Sequence, residues 1–484
     1  MLGTRYNREA RVFYTRSMVR GVLNKKKSGL KIGVFIHERP FLRSWVHSDV
    51  ISSLAASFQI TVFYDKSRVT LKPSDFPANV KCVGLDFCRS EFKGNLLNDV
   101  LLFEYHDKSP TFSYRKERYI YGWYLWRFNL LTLKRLLSGF IKVKKFRLFV
   151  YKSLRYLLLF QISRRFVLKL LDNWLNSFET LPISHELTEL DLAIVPSNGA
   201  ENFINPLICQ LNRLQINSLL ALDNWDNMSS KTILRGKPTY ITAMGCQSAR
   251  HANLVQGIDQ ENIWLTGLSR FESYRKFMQA EDSIDIKELS LRKSVVYLGC
   301  AIPHNEVTLI SKLIEIELFK DIDFTYRPHP QAVPRLGEDR IDLIRLGVKY
   351  DDSSGPINPQ TGWPETTSTF VKLIRDADLV IATPTTLALE AIMLGGNVII
   401  DGTVDGVNRT SAGIAIDRYL HLRDLRNVKN LEIASDFDKL IRLCETNLAI
   451  ESTNREKIDI SDLLFFNEVT FSQILTNYIK KNIK

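Results

Sequence analysis

The 484-residue chain lacks several features that commonly announce a function. Its six cysteines stand at 82, 88, 209, 246, 300 and 444, with no C-x-x-C pair. That spacing argues against a zinc knuckle or dithiol motif, and the sparse use fits a reducing compartment better than a disulfide scaffold. There is no G-x-G-x-x-G, which disfavours an ordinary dinucleotide cofactor, and no G-x-x-x-x-G-K-[ST], which disfavours a Walker-type NTPase. No stretch approaches the ~18 uncharged apolar residues of a membrane-spanning helix. The segment Met1 to Lys31 is basic and has no apolar core of signal-peptide length. These absences predict a cytoplasmic protein with no cofactor and no metal site.

What is present is ordinary globular material, 45% hydrophobic and 24% charged. The length predicts roughly two or three domains. Sixty-five basic against 53 acidic residues give a net charge of +12, which favours anionic partners. The charge is uneven. Residues 115–169 hold fifteen basic side chains and one acid, Glu117, interleaved with aromatic and leucine residues. This reads as one or more basic amphipathic helices, inserted at about 96–178 and suited to an anionic membrane surface. A non-enzymatic nucleic-acid binder is disfavoured, because the charge is confined to this insertion while the rest reads as a cleft enzyme.

Outside the insertion, short apolar runs alternate with helical patterns, the rhythm of a parallel sheet covered on both faces. Strands are expected at Lys31–Ile36, Gln59–Tyr64, Val80–Leu85, Leu190–Val195, Ser218–Leu222, Thr239–Ala243 and Asn262–Thr266, with an amphipathic stretch over Ser44–Phe58. A second unit has strands at Ser294–Leu298, Asp323–Tyr326, Asp378–Ala382 and Asn397–Ile400, and helices at Asn305–Glu317, Ser368–Asp376 and Thr386–Leu394. The expected architecture is α/β: two Rossmann-like, doubly wound parallel-sheet domains, 1–278 and 293–460, facing a cleft. A C-terminal helix in 461–484 packs back on the first. Ligands of such sheets bind beyond the carboxyl ends of the strands, so the residues following each strand are the candidates.

Four segments qualify. Asp376 to Ala391 reads as strand, turn and helix, with Pro384, Thr385 and Thr386 forming a helix start that can hold a phosphate. Glu390, one turn on, can accept hydrogen bonds from ribose hydroxyls. In Tyr326-Arg-Pro-His-Pro-Gln331, Arg327 offers a planar donor fork for phosphate, and His329, fixed between prolines, can donate to a phosphate or leaving group. Leu222 to Lys231 is a polar loop in which Asp223, Asp226 and Lys231 can line the cleft. His37-Glu-Arg-Pro-Phe41 offers Glu38 or His37 as a general base, Glu38 preferred, with Asp223 and Asp226 as rivals.

Together these residues resemble nucleotide-sugar glycosyltransferases of the GT-B fold, particularly enzymes of bacterial surface-polysaccharide synthesis. Trp225-Asp-Asn-Met-Ser-Ser-Lys231, followed by Trp264-Leu-Thr-Gly-Leu-Ser-Arg-Phe271, looks like the end of that family's first domain. Arg327-Pro-His-Pro330 resembles the His-Pro motif of sialyltransferases, Kdo transferases and CDP-glycerol glycerophosphotransferases. The likeness spans roughly residues 215–405. It implies phosphate contacts at His329 and Pro330 and at Thr385 and Thr386, with His329 also aiding departure of the nucleotide. It also implies a nucleotide-sugar donor, a glycan or lipid-linked glycan acceptor, and inverting, metal-independent transfer. A CDP-alditol phosphotransferase is the alternative. The acidic Asp/Glu-Asp/Glu-Gly base motif of sialyltransferases is not evident in the first domain.

Overall fold

The computed structural model describes residues 29–108, 161–199, 201–231, 233–272, 274–275, 292–329, 339–351, 367–408, 410–450, 456–466 and 468–483. Most of the basic stretch (109–160), the junction 276–291 and Pro330 lie outside the described residues.

Thirteen strands among the described residues form two sheets, and every pairing within them is parallel. The first contains β1 (Lys31–Ile36), β2 (Gln59–Asp65), β3 (Lys81–Leu85), β4 (Leu192–Ser197), β5 (Asn217–Leu222), β6 (Tyr240–Ala243) and β7 (Ile263–Leu265). Their order is β3-β2-β1-β4-β5-β6-β7. The second contains β8 (Ser294–Leu298), β9 (Asp323–Arg327), β10 (Lys349–Tyr350), β11 (Leu379–Ala382), β12 (Val398–Asp401) and β13 (Glu432–Ala434), in the order β10-β9-β8-β11-β12-β13. The expected class, two doubly wound α/β units, is therefore the observed one.

The central strands are buried on both faces, as their continuous apolar runs require: β4 and β11 are wholly buried. Helices close each side. Leu207, Ile208 and Leu211 of the helix Ile204–Arg213 pack below the first sheet, and Phe370, Val371 and Ile374 of the helix Thr367–Asp376 pack on the second.

One expected element is broken. The Ser44–Phe58 stretch forms a wide helical turn, Leu42–Val46, and then a separate helix, Val50–Ala55. Ser48 is the reason. Its hydroxyl donates to the Ser44 carbonyl at 2.8 Å and accepts from the Val50 N–H at 3.3 Å, so a short side chain replaces the helix ladder between the two pieces.

The chain end ties the two units together. Leu463 and Leu464 sit in the core of the second, beside Trp225 and Phe271 of the first. This segment passes so close to Gly245 that a Cβ there would meet the Leu463 carbonyl oxygen at 2.3 Å. The helix Phe471–Asn482 then lies on the first unit against Val50–Ala55. Phe471 meets Trp45 edge-on at 5.8 Å, and Tyr478 stacks on Trp264 at 5.2 Å.

Candidate functional site

Each sheet reverses its order at one place, between β1 and β4 in the first and between β8 and β11 in the second. Loops leaving the sheet on either side of such a point diverge and open a crevice. At the first reversal stand His37, after β1, and Glu201, after β4. His37 is wholly buried, its ring held between Phe41 (4.7 Å) and Phe203 (4.6 Å), with Nε2 3.4 Å from Glu201 Oε1. Glu201 also accepts from Ser197 Oγ (3.0 Å) and the Asn198 N–H (2.8 Å). Burial pushes the Glu201 carboxyl up, but the His37 hydrogen bond and charge outweigh it and hold the group below its ordinary range. Glu38 points elsewhere: Arg68 donates to it at 3.1 Å, and Arg89 lies 3.7 Å away.

Asp223 follows β5, one strand further along. It is 7% exposed, and its Oδ1 has no hydrogen-bond partner among the described residues. Burial pushes its carboxyl up to about 6, against the pull of Arg270 and with a further push from Glu390. Such a group can take a proton near neutral pH.

On the second unit, Leu298 pairs with Arg327 on one side and with Ala382 on the other. Arg327, Leu298 and Ala382 thus form one row across the sheet. His329 lies two residues beyond that row and Thr385 three. Adjacent strands are ~4.8 Å apart, so the Arg327–His329 turn and the helix start leave the same edge about 10 Å apart. Thr385 caps the helix Thr386–Met393, its side chain accepting from the Leu387 N–H at 3.4 Å. Arg327 is buried, donates to Asp351 at 2.5 Å, and packs its guanidinium 5.1 Å from the Phe370 ring.

The two halves meet across a chain of contacts. Arg270 donates through Nη1 to the Asp223 carbonyl (3.0 Å) and to Asn224 Oδ1 (3.3 Å), and through Nη2 to Glu390 Oε1 at 2.5 Å. Tyr274 donates to Glu390 Oε2, also at 2.5 Å. The Tyr274 ring contacts Phe370 at 6.1 Å, which returns the path to Arg327. Asp223, Arg270, Glu390, Tyr274, Phe370 and Arg327 therefore form one continuous line from β5 to β9.

Asp226 and Lys231 are not part of it. They pair with each other at 3.0 Å beside His421 of the second unit. Burial raises the Asp226 carboxyl, but the Lys231 and His421 charges prevail and lower it. The surrounding contacts join the two units. Trp225 Nε1 donates to Gln247 Oε1 (2.6 Å), and Gln247 donates in turn to the His421 carbonyl and to Asp424 (both 2.8 Å). In this structure the Trp225–Lys231 run is built into the seam between the units.

Sequence reasoning missed Glu201, Arg270, Tyr274 and the loop after β8. Arg270 stands in the Trp264–Phe271 run without a role assigned to it there, Tyr274 carries no motif, and only the fold sets them against Glu390. The loop had a signal, the Gly-Cys-Ala-Ile-Pro-His-Asn run between a strand and an Asn-capped helix. Its His304 lies 3.1 Å from Asp401 and 3.6 Å from Asp405. Burial alone would lower the His304 pKa, but the Asp401 hydrogen bond and neighbouring carboxylates raise it. Among the described residues no group of three or more His, Cys, Asp or Glu could hold a metal ion.

No protein-family model matches the chain, and no curated protein matches it. Among solved structures it is similar to the UDP-N-acetylglucosamine 2-epimerase of Rickettsia bellii, at 11% identity and a TM-score of 0.45, covering 94% of this chain and 97% of that one. The UDP-GlcNAc 2-epimerase of Neisseria meningitidis bound to UDP-GlcNAc matches at 10% identity and 0.45, covering 94% and 100%. The wall teichoic acid polymerase TagF matches at 10% and 0.43, covering 100% and 98%. Likeness this remote carries no weight for the chemistry, which must come from the chain's own residues.

Proposed function

We propose that the protein is a nucleotide-sugar-dependent glycosyltransferase with the donor on the second unit and the acceptor on the first. The observation that supports this best is the row Arg327–Leu298–Ala382. It brings an Arg–His turn and a capped helix tip to one sheet edge, at a spacing that suits a nucleotide's phosphates and ribose. Arg327, His329 and the N–H groups at Thr385–Thr386 stabilise charge gathering on the departing phosphate. Glu390 receives ribose hydroxyls. Asp223 is the base that takes the acceptor proton, in preference to Glu38, which faces two arginines, and His37, which has no exposed surface. Attack from the side opposite the leaving phosphate inverts the anomeric centre, and no metal is required in this scheme.

A lipid-linked acceptor at an anionic membrane face accords with the charge of residues 115–169. On the helix Gln161–Ser177, Phe166 and Leu170 are 64% and 54% exposed, next to exposed Arg165 and Lys169. Flotation with anionic vesicles tests this partner; no binding removes it.

The donor assignment is tested by a thermal-shift screen against UDP-, GDP-, CMP-, CDP- and dTDP-linked donors, since a bound donor raises the melting temperature by mass action. Mass spectrometry of the product separates sugar transfer from alditol-phosphate transfer. His329→Ala is expected to cut transfer sharply with the fold intact, and wild-type turnover in that variant would end the proposal.

A further inference from the structure

The line from Asp223 to Arg327 has one joint that spans both units, and it is Arg270. We propose that Arg270 is a positioning residue shared between Glu390 and Asp223: ribose hydroxyls that exchange into its place on Glu390 leave its charge to Asp223, so that the base is set by donor binding. This rests on the donor reading above.

Burial favours exchange. Each oxygen of Glu390 carries one protein donor, Arg270 at one and Tyr274 at the other. Glu390 is 2% exposed, so a diol reaches its oxygens by displacing the side chains that lie against them. A ribose diol brings two O–H groups, as many as the two bonds now made. The released guanidinium has one evident place to go. Its Nη1 is already anchored on the Asp223 carbonyl and Asn224. Its Nε and the Asp223 Oδ1 are both buried without a hydrogen-bond partner among the described residues. A spare donor and a spare acceptor thus lie in one cluster, on groups of opposite charge.

The groups that act on the Asp223 carboxylate are two cations, Arg270 and Arg43, and two anions, Glu390 and Glu201. Arg270 favours the ionised form and Glu390 opposes it. Turning Arg270 toward Asp223 lowers the Asp223 pKa and leaves a carboxylate ready for the acceptor proton, while the ribose hydroxyls, which are neutral, solvate Glu390 without cancelling its charge.

The test follows the Asp223 titration directly, without reference to turnover. Melting temperature is measured across pH for the full-length wild type, Arg270→Gln and Arg270→Lys, each with and without Asp223→Asn, in buffer and with UDP, GDP, CMP, CDP or dTDP. The Asp223-dependent step is expected to move up by about 1–3 pH units in Arg270→Gln, the range for losing an adjacent opposite charge. Arg270→Lys keeps most of the wild-type position. A bound ribonucleotide moves the wild-type step down and leaves the Gln variant's step in place, whereas dTDP, which lacks the 2′-hydroxyl of the diol, leaves both in place. An unchanged step in Arg270→Gln overturns the inference. Should that variant fail to fold, Tyr274→Phe decides: it frees one oxygen of Glu390 and is expected to tighten nucleotide binding several-fold, and unchanged or weaker binding overturns the exchange. If no nucleotide stabilises the wild type, the donor reading itself falls, while the effect of Arg270 on Asp223 is still decided by the Gln variant.

Discussion

Asp223 carries the sharpest residue-scale expectations. As the proposed base, its change to Asn should lower kcat by at least ~100-fold, the usual scale for general-base loss. Equal kcat in the variant would move the role elsewhere. The same substitution has a stability signature. The folded pKa, about 6, lies above the ordinary 3.8, so the protonated form is favoured in the folded state. That contribution is complete below about pH 4 and is lost as pH rises through 6. Asn mimics the neutral form at every pH. Asp223→Asn should therefore melt near wild type at pH 4 and above it at pH 8, by a difference on the order of 2 kcal/mol. A constant difference across pH would refute the assigned burial.

Elements explain how the sequence places these groups. The start of the helix Thr386–Met393 is written in the chain through Thr385, which caps it; Pro384 stands one residue before the cap, outside the first turn. Thr385→Ala should cost about 1 kcal/mol in a denaturant titration, the usual loss of a cap, and weaken donor binding as well. The C-terminal helix works through its apolar stripe. Leu475 is 0% exposed within the core of the first unit, so Leu475→Ala should destabilise by about 2–5 kcal/mol in the same assay. Destabilisation under 1 kcal/mol would mean that this helix is only loosely attached.

At the scale of the whole molecule, the seam through Trp225, Gln247, His421 and Asp424 sets how the two halves of the site face each other. Gln247 is fully buried and satisfies three partners at once. Gln247→Ala leaves those polar groups unmatched, each at a cost of about 1–3 kcal/mol if water cannot reach them. The variant should show a larger radius of gyration by X-ray scattering and a higher donor KM. An unchanged radius and unchanged kinetics would show that the seam does not control closure.

The alternation of short buried strands with amphipathic helices made the first sheet and the four central strands of the second legible from the chain, because strand burial and helix faces leave a local hydrophobic pattern; the short edge strands β10 and β13, which are not buried throughout, were missed. The helix start after β11 was legible for the same reason, since a capping threonine acts on its immediate neighbours. The sequence could not show that Ser48 divides a helical stretch, a competition between one hydroxyl and the backbone that periodicity does not record. Nor could it join Asp223 to Glu390 through Arg270, or place the Trp225–Lys231 loop in a seam. Those residues are far apart along the chain, and their relation depends on how two sheets are docked. Local chemistry determined what each loop can bind; only the packing of one unit on the other decided which loops act together.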